Sequence, residues 1–96
     1  MRQVNVGDIV HVVMCKANAA RHTSEIHRAA VVVNTWGGEC VQLQVFLDNT
    51  NDLFAIPNEY PNVYPSIEQA NLGMMWLTSV VYSEDMSIRT WHWPEE

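Results

Sequence analysis

The chain has little lysine, and this shortage argues against one large class of partner. A single Lys and four Arg stand against eleven acidic residues, which gives a formal net charge of −6. Proteins that bind nucleic acid regardless of its sequence need a surplus of Lys and Arg to neutralise phosphates. We therefore expect no general binding to DNA or RNA, although two or three local donors still suffice to hold a small anion.

Cysteine and long apolar runs are also scarce. Cys15 and Cys40 are the two cysteines, and they do not form a CxxC pair. We expect both to be reduced and half-buried on strands, as is usual in a cytosolic protein. No apolar run approaches the roughly 20 residues that span a bilayer. Residues 1–8 also lack a hydrophobic signal region. The sequence thus predicts a cytoplasmic protein that does not associate with a membrane.

The familiar motifs of catalysis are missing. The chain contains no Gly-x-Ser-x-Gly elbow, no P-loop and no dinucleotide fingerprint. Neither cysteine has a histidine that the sequence marks as its base, and the paired acids Glu84 and Asp85 fall in a predicted turn. We therefore predict that the protein is not an enzyme, that it has no catalytic residues and that it uses no cofactor.

Two stretches resemble metal sites only superficially. His22 and His27 do not have a zinc-ligand spacing. Residues 48–59 place oxygen side chains where a calcium loop needs them, but Leu53 occupies the position that requires glycine. His11, on an otherwise apolar strand, is more typical of a partly buried, hydrogen-bonded residue than of a ligand. We therefore predict no metal site.

What the sequence does contain is centred on residues 28–46. Two β-rich runs flank Gly37 and Gly38, and a Gly-Gly pair supplies the positive φ angles of a tight hairpin turn. Alternation along the runs predicts two faces. The core face comprises Val31, Val33, Val41, Leu43 and Val45. The opposite, mixed polar and aromatic face comprises Arg28, Asn34, Trp36, Gln42, Gln44 and Phe46.

Three further strands are predicted at residues 9–15, 74–82 and 88–93. In the first of these strands, Val10, Val12 and Met14 continue the core face. The fourth strand of the chain alternates between two faces. One of its faces carries Met75, Leu77, Ser79 and Val81, and the other carries Trp76, Thr78, Val80 and Tyr82.

An irregular segment, residues 47–73, separates the third and fourth strands. It ends in a short helix at residues 66–73, with Ser66 as its N-cap and Gly73 as its C-cap. Ninety-six residues fit one domain, residues 1–96, with this segment as an insertion. We predict an all-β fold, a small five-stranded SH3-like barrel.

Several short motifs resemble a family of small proteins encoded by tailed bacteriophages and prophages. They are Gly-Asp-Ile-Val-His at 7–11, Arg-Ala-Ala-Val-Val at 28–32, Leu-Gln-Val-Phe at 43–46, Trp-Leu-Thr-Ser-Val at 76–80 and Thr-Trp-His-Trp-Pro at 90–94. The resemblance covers about two-thirds of the chain. It implies a phage origin, a small β-barrel and a place of action in the host cytoplasm, and it does not imply a reaction.

The aromatic content suggests a binding role. Large rings are more numerous than we expect one small core to hold, so some should line a groove or an interface. Rings beside Arg and His can hold a base and its phosphate. The predicted ligand-binding residues are Arg28, Trp36, Tyr82, Arg89, Trp91, His92 and Trp93. Each ring taken alone also suits a simpler role, which is to cap an open end of the barrel.

Two functions follow from these residues. The first is a phage accessory protein that binds and sequesters a small anionic ligand of nucleotide type, such as a host defence signal. The alternative is an interaction or virion module that buries its aromatic face against a protein partner or its own copy. Both functions predict a homo-oligomer, because a contact between identical patches is the simplest way to cover an apolar surface. Inhibition of a DNA-binding enzyme by acidic mimicry ranks last, since the acids are dispersed.

Overall fold

Five strands and one short helix follow one another in the predicted order. The computed structural model describes residues 3–15, 26–49, 52, 63 and 65–94. The elements are β1 (Ile9–Cys15), β2 (Ile26–Thr35), β3 (Val41–Phe46), α1 (Ile67–Leu72), β4 (Met74–Tyr82) and β5 (Thr90–His92). Most of residues 48–59, the segment that resembles a calcium loop, lies outside the described residues.

The strands close into a barrel in the order β1-β2-β3-β4-β5. Neighbours from β1 to β4 pair antiparallel, and β5 pairs antiparallel with β1 and parallel with β4. Trp91 takes part in both closing ladders, because its partners are Val12 on β1 and Tyr82 on β4. The predicted five-stranded, SH3-like barrel is confirmed. Among the helices of the described part, none is long and apolar enough to cross a membrane.

The central hairpin turns at its Gly-Gly pair, as predicted. Gly37 and Gly38 have φ angles of 106° and 59°, which side chains other than glycine rarely adopt. The backbone N–H of Trp36 donates to the carbonyl oxygen of Cys40 at 2.9 Å and closes the loop. Cys40 is a free, half-buried cysteine, as predicted, but it immediately precedes β3 instead of lying on the strand.

The face predicted for β2 is wrong between residues 31 and 33. Val32 is buried and packs in the core, whereas Val33 is exposed. The pairing explains the reversal: Val32 lies opposite Leu43 and Asn34 opposite Gln42, so Val33 is an extra residue on β2. Such a β-bulge inverts the alternation of every residue beyond it. Residues before the bulge therefore have the opposite face from the one predicted. Arg28 is one of them, and it lies on the core-facing side of β2.

A second bulge reverses the faces of β4. Leu43 pairs with Leu77 and Val41 pairs with Val80, so β4 contains one residue more than β3 between these two pairs. Ser79 takes up the difference with a left-handed φ of 56°. Consequently Val80 is buried and Ser79 is exposed, the opposite of the predicted alternation, and Val81 is also exposed.

On β1 the predicted core face is correct: Val10, Val12 and Met14 are fully buried. Val13 on the opposite face is buried as well, which strict alternation does not anticipate. The short helix also agrees with the sequence. Ser66 and Gln69 form a capping box at its start, and Gly73 ends it with a left-handed φ of 76°.

Candidate functional site

Three of the predicted ligand-binding residues, all in or next to β5, are buried rather than exposed. Trp91, His92 and Trp93 are 0%, 2% and 4% exposed, and both tryptophans are part of the hydrophobic core. Their rings meet edge to face with centroids 5.2 Å apart, a geometry that stabilises aromatic pairs. These two indoles therefore do not line a groove; the indoles left outside the core are those of Trp36 and Trp76.

Arg28 forms an ion pair with Asp52. Its Nη2 atom lies 2.5 Å from Asp52 Oδ1 and its Nε atom 3.1 Å from Oδ2. The same carboxylate accepts the backbone N–H of Asp48 at 2.8 Å. The Asp52 side chain is 1% exposed, so this bidentate ion pair joins the start of the insertion to β2. The sequence contains no signal that selects Asp52 from its acidic neighbours.

The other predicted ligand residues lie apart from one another in the fold. Trp36 is 60% exposed beside the central turn. Tyr82 is half-buried against Trp91, with ring centroids 5.0 Å apart. Arg89 is exposed and precedes β5, where its backbone N–H donates to the carbonyl oxygen of Val13 at 2.9 Å. No cavity is detected in the described part of the chain that would gather these groups.

A cluster of three histidines lies on the outer side of β1, β2 and β5. His27 Nδ1 and His92 Nε2 are 3.3 Å apart, within hydrogen-bonding distance. The ring centroid of His92 is 4.9 Å from that of His27 and 5.7 Å from that of His11. Among residues 3–15, 26–49, 52, 63 and 65–94, no three His, Cys, Asp or Glu side chains are placed so that they could hold a metal ion together. His22, the other histidine considered for a metal, lies outside them.

Exposed apolar side chains occupy the outer face of the sheet. One row crosses four strands, since Ile9 pairs with Val31, Val31 with Gln44 and Gln44 with Trp76. Residues that pair directly across antiparallel strands share a face. Ile9 and Trp76 at the two ends of the row are each about half exposed.

A second row widens this surface. Phe46 pairs with Met74, and both are more than 40% exposed, while the bulge residue Val33 adds a further apolar side chain. We call this surface the aromatic face. It consists of Ile9, Val31, Val33, Gln44, Phe46, Met74 and Trp76.

The aromatic face is free of charge although the chain carries a formal net charge of −6. Gln42 and Thr78 border it and form a hydrogen bond with each other. Neutral, partly aromatic surface of this kind is typical of the centre of a protein interface, from which Lys, Glu and Asp are depleted.

Part of the aromatic face was visible in the sequence. Alternation places Gln44 and Phe46 on the mixed face of the hairpin, and Trp76 on a face of β4 opposite Met75 and Leu77. All three predicted positions agree with the structure. What the sequence does not reveal is that the register sets them side by side and adds Ile9 from the first strand.

Comparison of the chain with protein-family models, with curated proteins and with solved structures found no match. The resemblance to small phage proteins therefore remains a prediction.

Proposed function

We propose that the protein is a non-catalytic interaction module that binds another protein surface through its aromatic face. The observation that carries this proposal is the charge-free row joining Ile9, Val31, Gln44 and Trp76 across four strands. Apolar surface that stays in water costs free energy, and burying it against a partner recovers that cost. A sheet held by a closed barrel presents these side chains on a rigid scaffold, so little order is lost on binding.

The size of the face supports the same function. Its five most exposed side chains are 40–50% exposed, and two of them, Phe46 and Trp76, are aromatic, a class of side chain with about 150–250 Å² of surface each. The face thus offers a few hundred Å² of apolar surface, a size at which the largest patch of a soluble monomer is often functional. With its polar border it approaches the roughly 800 Å² per partner of a standard interface.

Sequestration of a nucleotide-type anion has less support from the geometry. Arg28 already binds Asp52, and the rings of Trp91 and Trp93 are in the core. Exposed Trp36 and Arg89 remain as the basis for that function. Calorimetry with a panel of cyclic and linear nucleotides tests it, and we expect no heat of binding. Binding that is lost in Arg89→Ala would favour sequestration instead.

The resemblance to phage proteins suggests where and when the module acts. We infer that it acts in the host cytoplasm during phage development, either as an accessory protein or as a component of the particle. Mass spectrometry of purified particles distinguishes these two roles, because a structural component is present at a fixed number of copies.

Photo-crosslinking tests the interaction itself. The protein is expressed from its natural position in the genome with benzoylphenylalanine in place of Trp76. A matched variant carries benzoylphenylalanine at Ile67, an exposed apolar residue of α1. We expect irradiation to yield a defined protein adduct from position 76 and none from position 67. Phe46→Glu added to the first variant should reduce the adduct severalfold. Equal labelling from both positions, or none from position 76, would exclude the aromatic face as an interface.

A further inference from the structure

We infer that the partner of the aromatic face is a second copy of this chain, related to the first by a two-fold axis near Gln44. This inference rests on the proposed function and names its partner. It is carried by the position and chemistry of Gln44 and by the distribution of charge.

Gln44 lies inside the apolar row, between Val31 on β2 and Trp76 on β4. Its neighbour Gln42 is held by the hydroxyl of Thr78, whereas the side-chain amide of Gln44 has no such bond to the described residues. A partner that covers the face must therefore satisfy this amide, because a buried polar group without a hydrogen bond is costly.

A side-chain amide is complementary to another copy of itself. It offers both N–H donors and a carbonyl acceptor, so two glutamines facing each other can exchange hydrogen bonds. A two-fold axis brings each residue near it against the same residue of the other copy. An axis beside Gln44 thus pairs the two amides and packs Trp76 and Phe46 around them.

Electrostatics are compatible with the same partner. Two molecules that each carry a formal charge of −6 repel each other unless they approach through uncharged surface. The aromatic face provides that surface. Facing sheets pack about 10 Å apart, so the two faces can interlock as the halves of a β-sandwich core.

Sedimentation velocity across a range of micromolar concentrations tests the inference. We expect the wild-type chain to dimerise and Trp76→Glu to raise the dissociation constant at least about tenfold, as loss of a central aromatic residue does at other interfaces. The matched control Ile67→Glu introduces the same charge on α1 and should dimerise like the wild type. Far-UV circular dichroism and thermal unfolding verify that each variant retains its fold.

A charge-swap pair tests the position of the axis. Gln44→Glu and Gln44→Lys should each be monomeric, because like charges then face each other, and an equimolar mixture should recover the dimer. Failure of the mixture to dimerise while the wild type does so would overturn the placement of the axis at Gln44.

The outcomes separate this inference from the proposed function. If the wild-type chain stays monomeric at every concentration, the inference that the partner is a second copy is overturned. If position 76 then still crosslinks to a different protein, the interaction module itself stands. A dimer that is indifferent to Trp76→Glu uses another surface and overturns the inference as well.

Discussion

The indole Nε1 of Trp91 donates a hydrogen bond to the carbonyl oxygen of Glu39 at 2.8 Å. Trp91 lies on the last strand and is fully buried, while Glu39 belongs to the turn of the central hairpin. A single side chain therefore fixes the turn to the core and pairs, through its backbone, with both strands that flank β5. The contact thus adds a link to the hairpin turn to the two ladders by which the three-residue strand β5 closes the barrel.

Trp91→Phe should destabilise the fold by about 2–3 kcal/mol, because it removes this hydrogen bond and leaves a cavity in the core. Chemical denaturation monitored by far-UV circular dichroism measures the change. Trp36→Phe is the matched control, and we expect a change within about 0.5 kcal/mol at that exposed position. Equal effects of the two substitutions would show that the closing contact contributes nothing particular to stability.

Removal of the Asp52 carboxylate should also be costly. Asp52→Ala leaves the guanidinium of Arg28 without its buried partner and the backbone N–H of Asp48 without its acceptor. We expect a loss of about 2–3 kcal/mol, below the full value for a buried pair because Arg28 is partly in water. A double-mutant cycle with Arg28→Met measures the coupling. Additive losses would mean that the pair contributes no interaction energy of its own.

The bulge in β4 makes Ser79 sensitive to side-chain shape. Its φ of 56° is strained for residues with a branched β-carbon. Ser79→Val should therefore destabilise the barrel by about 1–3 kcal/mol, while Ser79→Gly should be neutral or slightly stabilising. Equilibrium denaturation of the two variants measures the difference. A stable valine variant would mean that β4 can realign without its bulge.

The sequence was sufficient for the elements and their order. The Gly-Gly pair determines the hairpin, the spacing of apolar residues determines β1 and β3, and Ser66 and Gly73 determine the limits of α1. These features are local, because turn geometry, capping and alternation depend on a few neighbouring residues. They can therefore be predicted from the sequence without knowing which distant residues are in contact.

The tertiary structure decided which residues are free to meet a partner. Two bulges invert the faces of β2 and β4, and only the register of neighbouring strands reveals them. Closure of the barrel places Trp91 and Trp93 in the core, and the ion pair with Asp52 engages Arg28. Pairing across four strands then assembles Ile9, Gln44 and Trp76 into one surface. Contacts between residues far apart in the sequence depend on register and closure, and neither property is encoded in any short stretch of the chain.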